Sequence, residues 1–351
     1  AQTYSLVVNA PANIAGAYNN TNTVDWAPIT TGFTGDVVYT ATLGQGLGTA
    51  CVALPAGSLA GRVALIDRGA CSISVKVHNA AVAGAIGVLI ANNAAGDPPS
   101  FSFGGPDPFV PAQTLIITQA DGNTLKANQS GLNVTVSPAA VTALVGSMVA
   151  SSSRGPSYSY GAIKPEIGAP GASLSAEVGT GDGETVFGGT SGAAPMVAGS
   201  AALLLQAAPT LRPSEVKARL VNSADSNILT NPATLPGVLA PVSRIGGGEV
   251  RVDDAVALTG AMWDAADPAG VVLSFGAYRP TGVTTYRKKV LVKNYSNSAR
   301  TYTITRSFRY ADDQASGVAT LSSPATVTVP ANGTATFLLT LRLDPSRAAA
   351  W

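Results

Sequence analysis

Ser191 lies in the stretch Phe187-Gly-Gly-Thr-Ser-Gly-Ala-Ala-Pro-Met-Val-Ala-Gly199, where glycine-rich chain gives way to the helix-forming run Ser200-Ala-Ala-Leu-Leu-Leu-Gln206. A serine at a helix N-terminus sits beside unpaired backbone N–H groups and the positive end of the helix dipole. Those groups stabilise the oxyanion that forms when a serine attacks a carbonyl. Ser191 is therefore the candidate nucleophile, and its own backbone N–H a candidate oxyanion donor. Gly188 and Gly189 permit a sharp turn into the helix. Pro195 is expected in the first turn, where a missing N–H costs little. The uncharged run Met196 to Ala208 predicts a helix buried on nearly all sides. Two blander readings stand beside this one. Capping serines are common, and Ser191 alone does not distinguish a cap from a nucleophile. Gly192–Ala208 as a membrane span is the weaker alternative, because it is alanine-rich, bears a proline and falls short of about 20 apolar residues.

Gly189-Thr-Ser-Gly-Ala-Ala-Pro195 followed by Val197-Ala-Gly199 resembles the nucleophile motif of the subtilisin-like serine peptidases, the subtilases. Gly192 stands where methionine is common in that motif and Met196 where histidine is common. Neither position carries the chemistry. The resemblance implies a serine endopeptidase acting on protein or peptide substrates through Ser191.

The elements that must hold this serine belong to a chain of 351 residues, long enough for two or three domains. Charged residues make up 12%, and Lys+Arg 21 against Asp+Glu 20 leaves a formal net charge of +1. That balance argues against an electrostatic nucleic-acid binder, and the basic run Arg287-Lys-Lys289 is too short to favour an anionic membrane. Ala1-Gln-Thr-Tyr-Ser lacks the basic start and apolar core of a signal peptide, so a mature or excised piece is expected. Two cysteines occur, Cys51 and Cys71. A cytosolic chain could carry such a pair reduced. Their placement on either side of the strand-like Arg62–Ile66 favours a bridge, closing a loop of about 20 residues and contributing about 3 kcal/mol on the chain-entropy account. A bridge implies an oxidising compartment.

Residues 1–140 read as short strands and one helix. Ser5–Asn9, Val37–Ala41, Ile86–Ala91 and Thr114–Thr118 are expected strands. Ser72–Ala83 has helical spacing, with Val75 and Val82 on its apolar side and Gly84 as the stop. Leu65-Ile-Asp-Arg-Gly-Ala-Cys71, Lys76, Asn79-Ala80, Ala83-Gly-Ala-Ile-Gly87, Ala91-Asn-Asn93, Pro111, Gln113–Thr118 and Gly122 resemble a protease-associated domain. In subtilases such a domain is inserted after the residues that complete the site, covers the cleft, and has no chemistry of its own.

Residues 141–258 are expected to be the C-terminal part of a subtilisin-like α/β parallel-sheet domain. Met148–Pro156 and Ile163–Gly171 resemble segments leading to the nucleophile, and Gly246–Ala255 resembles the end of the catalytic domain. Pro213–Asn222 predicts an amphipathic helix with Val216 and Leu220 inward. From about 259 to 351 the apolar period becomes two, at Tyr302, Ile304, Phe308 and Tyr310 and at Phe337, Leu339, Leu341 and Leu343. With Val271–Phe275 and Lys289–Lys293 these predict a β-sandwich, which resembles the fibronectin-III-like domain that follows the catalytic domain in large secreted subtilases. The expected fold is thus multidomain: protease-associated α/β, part of a subtilisin-like domain, and a sandwich.

A subtilase also needs a histidine base, an aspartate to orient it and an oxyanion asparagine. His78, the single histidine, sits among Val-Lys-Val and Asn-Ala-Ala, unlike the family's histidine motif, and reads as a partly exposed helix residue. Asp182-Gly-Glu184 and Asp253-Asp254 read as loop and helix-start residues, and Asn93 belongs to the protease-associated match. Asp97, Asp107, Asp182 and Glu184 lack calcium-loop spacing, so neither a metal nor a cofactor is expected. In subtilases with this insert the aspartate, histidine and asparagine precede it. The resemblance therefore implies a secreted or extracellular peptidase whose N-terminal fragment supplies them. A protein- or surface-binding fragment and an inert remnant are the alternatives; an intact Gly-Thr-Ser-Gly-Ala-Ala-Pro favours a peptidase origin.

Overall fold

The computed structural model describes residues 2–159 and 161–348. They fall into two compact units, one of residues 1–145 with 231–238, the other of 146–230 with 239–351.

The first unit is built on the strands β1 (Gln2–Ala10), β2 (Gly16–Tyr18), β3 (Thr21–Thr23), β4 (Phe33–Tyr39) and β5 (Val63–Asp67). Helix α1 (Ile73–Val82), β6 (Gly87–Ala91), β7 (Thr114–Ile117), α2 (Gln119–Ala127) and β8 (Asn133–Ala143) complete it. The strands form one mixed sheet in the order β2-β1-β8-β4-β5-β6-β7-β3. Its centre, β4 to β7, is parallel. Parallel strands need cover on both faces, and their sequences, such as Val63-Ala-Leu-Ile66, are apolar at consecutive positions. Leu65, Leu89, Leu115 and Ile117 pack on one side with Leu125 of α2. Ala64, Ile66, Val88, Ile90 and Ile116 pack on the other with Ile73, Val77 and Ala80 of α1.

Several expectations need correction here. The strand expected over Val37–Ala41 ends at Tyr39 and continues as a 3-10 turn, Thr40–Leu43. Helix α1 ends as expected, with Gly84 at φ +98°, but its buried face is Ile73, Val77 and Ala80, while Val82 is 61% exposed. Helix α2 was not expected. Thr118 caps it by accepting the Asp121 N–H at 3.0 Å. Gly122 lets it lie close on the sheet: a Cβ there would stand 2.5 Å from that of Ala91.

Cys51 and Cys71 form the expected disulfide. Beside it Lys76 is fully buried, its Nζ donating to the carbonyls of Thr49 (2.5 Å) and Gly69 (2.6 Å). Asp67, at the end of β5, accepts from Tyr39 Oη at 2.5 Å and pairs with Lys126 at 3.0 Å.

The second unit begins with the hairpin β9 (Ala172–Ala176) and β10 (Glu184–Gly188) and helix α3 (Thr190–Ala207). Helices α4 (Pro213–Asn222), α5 (Val242–Ile245) and α6 (Val252–Ala257) follow. Then come β11 (Gly260–Asp264), β12 (Thr284–Asn294), β13 (Arg300–Thr303), α7 (Ala311–Ser316), β14 (Ala319–Ser322), β15 (Thr326–Val329) and β16 (Thr334–Leu343). Strands β11-β12-β16-β14 make one antiparallel sheet and β13-β15 another. Helix α4 has the expected bounds: Pro213 opens it, the Glu215 carboxylate accepts the Arg212 N–H at 3.0 Å, and Val216 and Leu220 are buried.

Among the described residues of 146–258, parallel pairing is confined to the isolated bridges Ser147–Leu229 and Gly168–Glu249. Val271–Phe275 is irregular rather than a strand. Val271 is buried with Trp263, Ala261, Ala218 and Val221, so its apolarity reports packing and not ladder pairing. The alternation expected through Tyr310 stops at Thr303, and Tyr310 Oη instead donates to the Leu239 carbonyl at 2.9 Å.

Burial pushes the Lys76 ammonium down to about 8, with Asp67 opposing the fall. An unfolded lysine titrates near 10.4. Between these values the unfolded chain binds a proton that the folded chain does not, so this residue's contribution to stability rises with pH. Tyr39, pushed up to about 12 by burial and then by Asp67, works the other way above pH 10, and a comparison with Lys76→Met cancels it. Urea unfolding should show the wild-type stability gaining about 2–3 kcal/mol on Lys76→Met between pH 8 and pH 10. A pH-independent difference would contradict the assignment.

Candidate active site

Ser191 is positioned by backbone contacts. The β9–β10 hairpin pairs Gly188 with Ala172, and just beyond it the Gly189 N–H donates to the Gly171 carbonyl at 2.7 Å. Gly189 then takes φ +75°, a conformation that a side chain resists, and α3 starts at Thr190. The N–H groups of Gly192 and Ala193 turn back onto the Gly189 carbonyl at 3.1 and 3.2 Å. Gly192 is buried against the hairpin, where a Cβ would stand 3.0 Å from both the Phe187 carbonyl oxygen and Ser173 Oγ. Ser173 Oγ donates to that same carbonyl at 2.5 Å.

Ser191 is thus the second residue of α3 and is exposed. Among the described residues neither its Oγ nor its N–H has a hydrogen-bond partner. It does not act as an N-cap, since the cap position is Gly189 and no side chain caps the helix. An open hydroxyl next to an unpaired N–H at a helix start is an arrangement able to attack a carbonyl and hold the oxygen that becomes negative.

Two expectations about α3 are corrected. Pro195 lies in the helix interior, because α3 begins earlier than a first-turn proline requires. It therefore supplies no N–H to the Ser191 carbonyl. Burial is also one-sided. Gly192, Ser200 and Leu204 are buried, whereas Leu203 is 54% and Leu205 40% exposed. Leu204 packs with Val216 and Leu220 of α4 and Ala255 of α6, and Ser200 Oγ donates to the Met196 carbonyl at 2.8 Å.

The support behind α3 contains an aromatic and charged set that the sequence reading passed over. Arg219 of α4 donates to the carbonyls of Ala255 (2.9 Å) and Val256 (2.8 Å) at the end of α6. Its guanidinium lies 5.1 Å from the Tyr295 ring centroid. Tyr295 Oη donates to Glu215 at 3.3 Å. Burial and the Glu215 carboxylate push the Tyr295 phenol upward, and burial pushes the Arg219 guanidinium down. Only the Pro213–Asn222 pattern hinted at this set, by placing Glu215 and Arg219 on one helix.

The other candidates lie elsewhere. His78 is a half-buried residue of α1, and its Nδ1 accepts the Val110 N–H at 3.1 Å. Asp253 and Asp254 lie in the first turn of α6, and Asn93 follows β6 in the first unit. Among the described residues no three of His, Cys, Asp and Glu gather as a metal-ligand set. No described helix is long and apolar enough to cross a membrane.

Residues 67–248, slightly more than half of the chain and including Ser191, match the model of the Subtilase family, peptidase S8. The chain belongs to the subtilase family. It is 30% identical over 293 residues to the minor extracellular protease Vpr of Bacillus subtilis, covering 79% of this chain and 32% of Vpr. To the C5a peptidase of Streptococcus pyogenes it is 31% identical over 177 residues, 50% of this chain and 15% of the other. The chain therefore spans about a third or less of these relatives. Among solved structures, a subtilisin-like protease of Pseudoalteromonas sp. AS-11, Apa1, has 17% identity and a TM-score of 0.29, covering 77% of this chain and 50% of that one.

Truncating Leu204 to alanine should cost about 2–5 kcal/mol, while Leu203→Ala should stay within about 0.5 kcal/mol. Thermal or urea unfolding of the two variants checks this. Equal losses would mean that the Leu203 face of α3 is covered in solution.

Proposed function

We propose that this chain is the nucleophile-bearing C-terminal portion of a secreted subtilisin-like serine endopeptidase, with Ser191 as nucleophile and its own N–H as an oxyanion donor. The observation that carries this reading is the exposed, unpartnered Ser191 at the start of α3, inside the family match. Ser191 needs a base to take its proton, and His78 is engaged at Nδ1 within the first unit. The catalytic aspartate, histidine and oxyanion asparagine are accordingly assigned to an N-terminal fragment of the same protease. Burial of the exposed apolar face of α3 would hold that fragment to this chain.

Residues 1–140 are read as a protease-associated domain, 141–258 as the end of the peptidase domain and 259–351 as a fibronectin-III-like sandwich. The mixed sheet of the first unit supports the first of these readings, and the antiparallel sheets β11-β12-β16-β14 and β13-β15 support the last. The disulfide and the extracellular relative Vpr support secretion. Substrates would be proteins or peptides, and the chemistry requires neither a metal nor a cofactor.

The test is peptide hydrolysis by this chain alone and by the longer protease. The chain alone should fall short by on the order of 10⁴- to 10⁶-fold, the loss typical when triad members are missing. In the longer protease Ser191→Ala should remove activity to a similar degree. Turnover by the isolated chain that vanishes in Ser191→Ala would reveal a base within it, and full activity of the longer Ser191→Ala protease would discard the nucleophile.

A further inference from the structure

The disulfide of the first unit is asymmetric in its surroundings. Cys51 Sγ lies 3.4 Å from Lys76 Nζ, which also donates to the carbonyls of Thr49 and Gly69. An ammonium has three N–H donors, and these three partners account for them. Lys76 is 0% exposed, so little solvent screens the contact. Both cysteines, by contrast, are half-buried.

We propose that Cys71 is a site of reversible thiolation by small-molecule thiols, with Cys51 as the leaving and resealing thiolate beside Lys76. In the forward step an incoming thiolate, its proton already given to solvent, attacks Cys71 Sγ. The Cys51–Cys71 bond breaks and its electron pair stays on Cys51 Sγ. A new disulfide joins Cys71 to the small thiol. In the reverse step the Cys51 thiolate attacks Cys71 Sγ and expels the small thiolate. No outside oxidant is needed, because the total of disulfides and thiols is conserved.

The direction follows from which sulfur better bears the charge, since the thiol of lower pKa leaves faster. A competing influence exists at Cys71, which directly precedes Ser72, the N-cap of α1. A helix terminus favours a nearby anion, but that effect is screened at the surface and fades within one turn. The Lys76 contact is direct, charge-assisted and buried, and so outweighs it. Lys76 also keeps the opened bond ready to close. Its two carbonyl partners belong to the two segments that the disulfide joins, and Asn79 Nδ2 holds Ala50 at 2.9 Å. Opening the bond leaves those ties in place.

The test is to treat the folded chain with limiting reduced glutathione, quench with acid and map the peptides by mass spectrometry. The adduct should sit predominantly on Cys71 with a free thiol at Cys51. In Lys76→Met the preference should collapse toward equality. Adducts mainly on Cys51, or equally on both in the wild type, would overturn the proposal, as would a Cys71 preference that survives in a folded Lys76→Met. Should Lys76→Met fail to fold, the single variants Cys71→Ser and Cys51→Ser decide by the pH dependence of iodoacetamide alkylation. Cys51 should then titrate below Cys71; the reverse order would overturn the proposal.

Discussion

The close approach of two backbones, the β9–β10 hairpin and the first turn of α3, governs what this structure can do. Gly171, Gly189 and Gly192 lie where the chains meet, through the Gly189 N–H to Gly171 bond and the packing of Gly192 on the Phe187 carbonyl. A side chain at Gly192 would press on the hairpin, and one at Gly189 would be strained by its φ of +75°. Ser191 gains its place from main-chain geometry and not from its own packing, and so can stay exposed and still be fixed. This division of labour suits a nucleophile, whose hydroxyl must be open while its Cα is held.

Behind that junction the second unit is tied together across the position where the apolar period changes. Ala218 and Val221 of α4 share a core with Ala261 and Trp263 of β11 and with Val271. The Asn222 carboxamide accepts the Met262 N–H at 2.7 Å, and Lys217 Nζ donates to the Ala269 carbonyl at 2.7 Å. Arg219 joins the end of α6 to the ring of Tyr295. Loss of β11 would thus expose one face of α4, whose opposite face carries Leu204 of α3. The β-sheets of the second unit are mechanically part of the support for α3.

Legibility in the sequence follows a physical line. Elements with strong local signals were readable: Pro213–Asn222 through its proline start and apolar spacing, and α1 through Gly84. Helix α2 was missed because Gln119-Ala-Asp-Gly-Asn-Thr-Leu-Lys-Ala127 is polar, and Leu125 is its one large buried side chain. The inward face of α1 was misread because Lys76 is buried, and no periodicity rule places a lysine inside. Val271–Phe275 misled for the opposite reason: an apolar run signals burial, and burial does not require a partner strand. The Gly189–Pro195 motif made the family legible, whereas the depth of Pro195 in α3 depended on where the hairpin lets the helix begin.

The exposed face of α3 is the point at which sequence and packing disagree, and the disagreement is informative. From Met196 to Ala208 the helix has no charged residue, a composition that water-facing helices rarely keep. Yet its burial is confined to one stripe centred on Ser200 and Leu204. Phe187, at the end of the strand that leads into α3, is 42% exposed. A helix whose other face met water throughout its life would gain solubility from charges there at little cost to stability. Their absence is what burial of that face against further polypeptide would produce.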